Sequence, residues 1–253
     1  MRPRAAPRPG ARRVTMPSPA AALRVGGLVP FTQIDFPGRL SAVVFVQGCP
    51  WRCAYCHNPH LQARDAMPER TWADVLEFLA RRTGLLDAVV FSGGEPTIDP
   101  ALPRAIDDVR ALGMKVGIHS AGMAPRPLAA VLPGVDWIGL DVKAPLDDRK
   151  RHDLVTGVRG DVAKVRESVQ AVLRSGARHE FRTTAHLALL DDAALLRIGR
   201  SLASMGARAY ALQVARPVTD AGVALATVAR SYPAPATLKR LADLFESFVV
   251  RRD

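Results

Sequence analysis

The chain has 253 residues, 48% hydrophobic and 23% charged, enough for the core of one domain or two small ones and the balance of an ordinary globular protein rather than a disordered one. Its net charge is +11, from 35 Lys and Arg against 24 Asp and Glu. Its apolar runs all fall short of the roughly 18 residues of a membrane-spanning helix, and its cations are dispersed rather than interleaved with aromatics, which argues against nucleic acid as a partner.

Residues 1–22 are rich in Arg, Pro and Ala, and Arg2, Arg4, Arg8, Arg12 and Arg13 meet no acid before Asp35. These five account for nearly half of the net charge, leaving about +6 (11 − 5) for the remainder. The segment lacks the roughly 7–15-residue apolar stretch of a secretory signal. It reads as a disordered extension, with Met16 as an alternative start, and residues 23–253 read as a single domain. Without a signal or paired cysteines, a reducing cytoplasm is the expected setting.

Beyond the tail, short apolar runs alternate with amphipathic stretches. Strands are predicted at 42–46, 88–91, 115–119, 137–142, 180–185 and 209–214, and most carry β-branched residues. Helices are predicted at 71–82, 101–112, 127–132, 161–175, 191–205 and 236–250. Thr71 and Asp191 suit N-caps, and Gly113, Gly176 and Gly206 fall just past helices, where a left-handed cap is wanted. Six βα units in a row imply an α/β fold with a mostly parallel sheet and right-handed crossovers, either doubly wound or a partial (β/α)6 barrel. Either arrangement forms its site at the C-terminal ends of the strands. The polar residues fall there: the cysteine loop after the first strand, Ser92-Gly93-Gly94-Glu95-Pro96 after the second, His119-Ser120 at the third. Asp141 and Lys143 end the fourth, Arg182 and Thr184 lie in the fifth, and Gln213 and Arg216 close the sixth.

All three cysteines lie within eight residues, Cys49-Pro50-Trp51-Arg52-Cys53-Ala54-Tyr55-Cys56, followed by His57. Four readings compete. A zinc site could use the three thiols with His57, but side chains of adjacent residues point apart, and such sites usually join two distant ligand pairs. The stretch from Cys53 to His57 matches the C-x-x-C-H haem pattern, which leaves Cys49 unused and needs an exported protein. A redox dithiol of Cys53 and Cys56 also ignores Cys49. An iron–sulfur cubane normally takes four cysteines. With three, it uses every thiol in the chain and leaves one iron open to a ligand.

The C-x₃-C-x₂-C spacing, with an aromatic before the last cysteine, resembles the radical S-adenosylmethionine (SAM) enzymes. Gln47-Gly48-Cys49 through His57-Asn58-Pro59, with Ile34-Asp35-Phe36-Pro37-Gly38 upstream and Gly93-Gly94-Glu95-Pro96 downstream, is similar to the activating enzymes of glycyl-radical proteins, above all those of anaerobic ribonucleoside-triphosphate reductase. The likeness extends over roughly residues 23–250. It implies a [4Fe–4S] cluster held by Cys49, Cys53 and Cys56, with SAM chelating the open iron. It also implies a 5′-deoxyadenosyl radical that removes a hydrogen from a glycine of the partner reductase, and a one-electron donor such as flavodoxin or ferredoxin. Tyr55 and His57 are then expected at the adenine, and Gly93, Gly94 and Glu95 at the methionine ammonium. Asp141 and Lys143 are expected at the cofactor, Lys143 also as a catalytic candidate, with Arg182 facing the barrel interior and Gln213 a last-strand contact. Many relatives have Thr-Asn-Gly where this chain has His119-Ser120-Ala121-Gly122, so the contact assigned to Ser120 departs from the pattern. No cysteine remains for an auxiliary cluster. A pyruvate formate-lyase-like enzyme as substrate, and a non-enzymatic zinc or iron–sulfur module, stand as alternatives.

Overall fold

A computed structural model describes residues 23–160, 162–217 and 225–252; the expected extension at 1–22 lies outside them. Eight strands form one sheet whose spatial order follows the chain: β1 (Val25–Thr32), β2 (Ser41–Val46), β3 (Ala88–Gly93), β4 (Lys115–Ser120), β5 (Trp137–Asp141), β6 (Arg178–Ala185), β7 (Ala209–Val214) and β8 (Ser247–Arg251). The β1–β2 pair is antiparallel and every later pair is parallel. The helices are α1 (Trp72–Ala80), α2 (Leu102–Ala111), α3 (Pro125–Val131), α4 (Arg149–Thr156), α5 (Val162–Ser175), α6 (Asp192–Ser204) and α7 (Pro235–Ala242). The architecture is the expected partial (β/α)6 barrel, β2 through β7, with one further strand on each edge. No described helix is long and apolar enough to cross a membrane.

Local chemistry explains the boundaries. Thr71 caps α1 in a reciprocal box with Asp74, and Asp191 accepts from Ala194 N–H at the start of α6. Gly113, Gly176 and Gly206 all take positive φ, as the helix ends require.

Three elements differ from expectation. β1 carries two glycines and Pro30, weak strand signals, and its pairing is interrupted by register shifts; an edge position tolerates both. The segment 236–250 is not one helix. α7 stops at Ala242, and Ser247–Arg251 joins β7 as β8, because an open parallel neighbour outweighs helical periodicity in so short an apolar run. α4, Arg149-Lys150-Arg151-His152-Asp153-Leu154-Val155-Thr156, has almost no apolar stripe; Asp148 caps its start and Gly157, at φ 69°, its end.

Strand alternation divides the sheet into two faces. Val44, Phe91, Ile118, Leu140, Phe181 and Leu212 are buried in the main core with the helices. The opposite face starts from a small apolar floor of Phe36, Val43, Ala88, Val90 and Trp137. Toward the strands' C-terminal ends the same face becomes polar, with Ser92, His119, Asp141, Arg182, Thr184 and Gln213 at alternating positions. A core on one side and a polar interior on the other is what sets the site.

Candidate functional site

The cysteine loop leaves β2 at Val46 and is fastened by its backbone on two sides. Gly48 N–H donates to Leu61 O at 2.8 Å and Cys49 N–H to Gln62 O at 3.1 Å. On the other side Arg52 N–H donates to Thr156 O at 2.7 Å and Ala54 N–H to Val155 O at 3.2 Å. The last carbonyls of the polar helix α4 therefore seat this loop, a role its own sequence does not advertise. The three cysteines are free and partly buried. Burial pushes the Cys49 thiol up to about 12 and raises Cys53 as well. A thiolate here needs an adjacent positive centre, which iron provides. Among the described residues no three His, Cys, Asp or Glu side chains converge on a single ion position; the thiols line a wall.

The Gly93-Gly94-Glu95-Pro96 turn packs on that loop. A Cβ on Gly93, which has φ 114°, would strike the backbone of Val46, and one on Gly94 would strike Gly48 O. Glu95 N–H donates to Gly48 O at 2.9 Å. The Glu95 carboxylate is fully buried and turned away from the cavity. It accepts from Thr97 N–H (3.2 Å), Thr97 Oγ1 (2.6 Å), Ser120 Oγ (2.8 Å) and Ala121 N–H (2.7 Å). Burial raises its pKa and these four donors pull it back. In this geometry its carboxylate fastens the glycine turn to the end of β4.

Beyond the loop, Asp141 joins two cations. Lys143 Nζ donates to its Oδ2 at 3.0 Å and Arg182 Nε to its Oδ1 at 3.0 Å. Burial opposes the charge of Asp141, but Lys143 and Arg182 outweigh it and bring its pKa down to about 2. Burial likewise opposes Lys143, and Asp141 holds it well above its usual value. Lys143 Nζ lies 5.3 Å from the centre of the Tyr55 ring, and burial raises the Tyr55 hydroxyl. Arg182 NH2 also reaches Gly139 O, and the guanidinium lies in the space that a Cβ at Gly139 would enter.

These groups share a cavity of about 220 Å³. Its wall includes all three cysteines, Tyr55, His57, Gly93, Gly94, Ser120, Asp141, Lys143 and Arg182, as expected from sequence. Glu95 is absent from the wall. Gln213 lines an adjoining cavity of about 290 Å³, which meets the first at His57, His119, Arg182 and Thr184. The second cavity is walled from both ends of the sheet, by Ile34, Asp35 and Pro37 after β1, by Gln213 and Arg251 on the last two strands, and by Arg216 just after β7.

Ser92 and His119 join the cavity wall without an expected role. His119 Nε2–H donates to Asp35 O at 3.0 Å, which fixes the tautomer and leaves Nδ1 as acceptor for Ser92 Oγ at 3.4 Å. Its ring sits edge-on to Trp137, and burial with the nearby Arg182 lowers its pKa to about 3. The signal was its parity with Asp141 and Arg182 on the interior face.

Residues 43–193, more than half of the chain, match the family model described as the radical SAM superfamily. The chain is 27% identical over 202 residues to a Methanocaldococcus jannaschii protein named as a glycyl-radical enzyme activating enzyme, covering 76% of this chain and 80% of that one. It is 34% identical over 146 residues to the pyruvate formate-lyase-activating enzyme of Clostridium pasteurianum (54% and 60%), and 34% over 133 residues to the PqqA peptide cyclase of Xanthomonas euvesicatoria (51% and 35%). Among solved structures, Streptococcus suis SuiB bound to SAM superposes with a TM-score of 0.61 at 15% identity, over 81% of this chain and 48% of that one. A domain of the Bacteroides vulgatus pyruvate formate-lyase-activating enzyme superposes at 0.52 and 16%, over 64% and 98%. The chain spans about half the length of SuiB and about a third of the peptide cyclase. Three thiols on one loop are the donor set of an iron–sulfur cluster, and the glycine-lined, charge-paired cavity beside them suits an amino-acid-bearing cofactor. With a [4Fe–4S] cluster and SAM as its cofactors, the chain belongs to the radical SAM superfamily.

Proposed function

We propose that the protein is an activating enzyme that places a glycyl radical on an anaerobic ribonucleoside-triphosphate reductase. One observation carries the reading: the cysteine-lined cavity runs directly into a second cavity walled from both ends of the sheet, so a polypeptide entering there meets the cofactor. The relatives named as glycyl-radical activating enzymes supply the substrate class.

Cys49, Cys53 and Cys56 would hold the cluster, and Gly93 and Gly94 let backbone approach the methionine end of SAM. Asp141, Lys143 and Arg182 together carry one net positive charge, favourable to the cofactor's carboxylate. Tyr55 and His57, which flank the last cysteine, would contact the adenine; Ser120 lines the same cavity and Gln213 the adjoining one. When bound, the cofactors would supply the chemistry, one-electron reductive cleavage of the C5′–S bond of SAM and removal of a hydrogen from the partner's glycine. The buried walls exclude water from this step.

The test is anaerobic reconstitution with iron and sulfide, then SAM and dithionite. Formation of 5′-deoxyadenosine is expected, with loss in Cys53→Ala. A glycyl-type doublet in electron paramagnetic resonance of the added reductase identifies the partner; the same signal only with a pyruvate formate-lyase-like protein reassigns it. About one zinc per chain without iron or sulfide would replace the reading with a structural zinc module. The similarity to the PqqA peptide cyclase favours one second reading, radical modification of a peptide, which mass spectrometry detects as loss of two hydrogens.

A further inference from the structure

The site above needs an electron, and its source must lie outside the chain: the only three cysteines are committed to one loop, so no second cysteine-held cluster exists to relay it. A face behind the loop has the features of an entry point. Trp51, buried and two residues from both Cys49 and Cys53, lines the cysteine cavity on one side and a separate cavity of about 770 Å³ on the other. Two residues of chain span at most about 7 Å, so that tryptophan is close to the cluster position by connectivity alone. His152, edge-on at 5.1 Å, holds its ring.

The outer cavity is charged with one sign. Arg149, Arg159 and Lys164 line it, all exposed, with apolar Ile98, Met123 and Val158 between them. No described acidic residue lines it. Arg149 has a long contact to Asp153 at 3.8 Å, and among the described residues Arg159 and Lys164 have no ion-pair partner. Arg52 and Lys150, also exposed, lie in the loop and in α4 beside it.

We propose that this basic face is the docking site of a small acidic one-electron carrier protein, which delivers its electron to the cluster past Trp51. The proposal rests on the radical SAM reading above. The carrier loses one electron, the cluster gains it, and no proton or bond changes hands. A cation rim around a modest apolar centre suits the weak, fast and salt-sensitive encounters of electron carriers, which need little buried area. The outer cavity shares no lining residue with the second, substrate-side cavity, so both partners can be bound together.

The experiment uses the cluster-loaded enzyme and its double variant Arg159→Glu/Lys164→Glu, with reduced flavodoxin and reduced ferredoxin as separate probes. Stopped-flow absorbance follows cluster reduction, and calorimetry measures carrier binding at low and high salt. At least a tenfold loss in the second-order reduction rate and in affinity is expected with whichever carrier reduces the wild type, and the difference shrinks at high salt. SAM binding and dithionite-driven 5′-deoxyadenosine formation stay unchanged. Unchanged carrier binding and reduction in the variant overturns the docking site, as does a wild type that dithionite activates but neither carrier reduces. If dithionite itself produces no 5′-deoxyadenosine, the underlying reading has failed instead.

Discussion

Ser120 Oγ, at the end of β4, donates to Glu95 Oε1 at 2.8 Å. The bond ties the glycine turn after β3 to the next strand, and the turn in turn packs on the cysteine loop. The glycine turn that lines the cavity is thus held by a carboxylate that lines neither cavity.

That arrangement predicts a stability cost before a binding cost. In Glu95→Gln the amide nitrogen must face either Thr97 N–H or Ala121 N–H, whichever way it is flipped. The expected loss is about 3 kcal/mol, against about 1 kcal/mol for Ser120→Ala. Thermal unfolding checks both, with SAM affinity falling in parallel. An unchanged midpoint in Glu95→Gln would contradict the four-donor geometry.

Two glycines govern the seat of the cysteine loop. A Cβ at Gly94 would overlap Gly48 O, and one at Gly157, where φ is 69°, would overlap Arg52 O. Both oxygens belong to the backbone of the cysteine-loop region, so Gly94→Ala and Gly157→Ala shift the loop from opposite sides. Iron and sulfide bound per chain after reconstitution are expected to fall by more than half in each. Gly84→Ala, where no atom lies within 4 Å of the added carbon, controls for a general glycine effect.

Asp141 is the counter-charge for two cations. Asp141→Asn leaves Lys143 and Arg182 together without it, at an expected cost of about 3 kcal/mol, reduced from the fully buried case because the Asp141 side chain is 24% exposed. Denaturant titration measures it. The Lys143 pKa is expected to fall, which would show as a new alkaline limb in the pH dependence of SAM binding.

The His119 pKa lies below its unfolded value of 6.5, at about 3 in the folded protein. The unfolded chain therefore takes up a proton first as pH falls. The stability His119 contributes is fully present above pH 6.5 and is lost as pH drops toward 3, with a slope of up to about 1.4 kcal/mol per pH unit. Unfolding between pH 4 and 8 is expected to be less pH-dependent in His119→Gln. Asp141 adds a separate loss at lower pH, between 3.8 and about 2.

Much of this molecule is legible locally. Six strands, the caps at Thr71 and Asp191 and the left-handed glycines follow from residue type and period. What was not legible depended on a neighbour. β8 needs the open edge of β7, and α4 needs the cysteine loop whose backbone N–H groups meet its last carbonyls. Both sequences are locally ambiguous, and tertiary hydrogen bonding decides them.

By itself the sequence determined the chemistry: three thiols on one tight loop, at a spacing that suits a cluster, followed by a Gly-Gly turn and an acid–lysine pair at the ends of predicted strands. Those are properties of covalent order and of strand parity. Only the tertiary structure decided which way each group faces. It turned Glu95 inward, because four donors outbid the solvent-facing cavity for a buried carboxylate. It brought His119 onto Asp35 and Ser92, and set a basic face behind Trp51, because these contacts join segments that are distant in the chain.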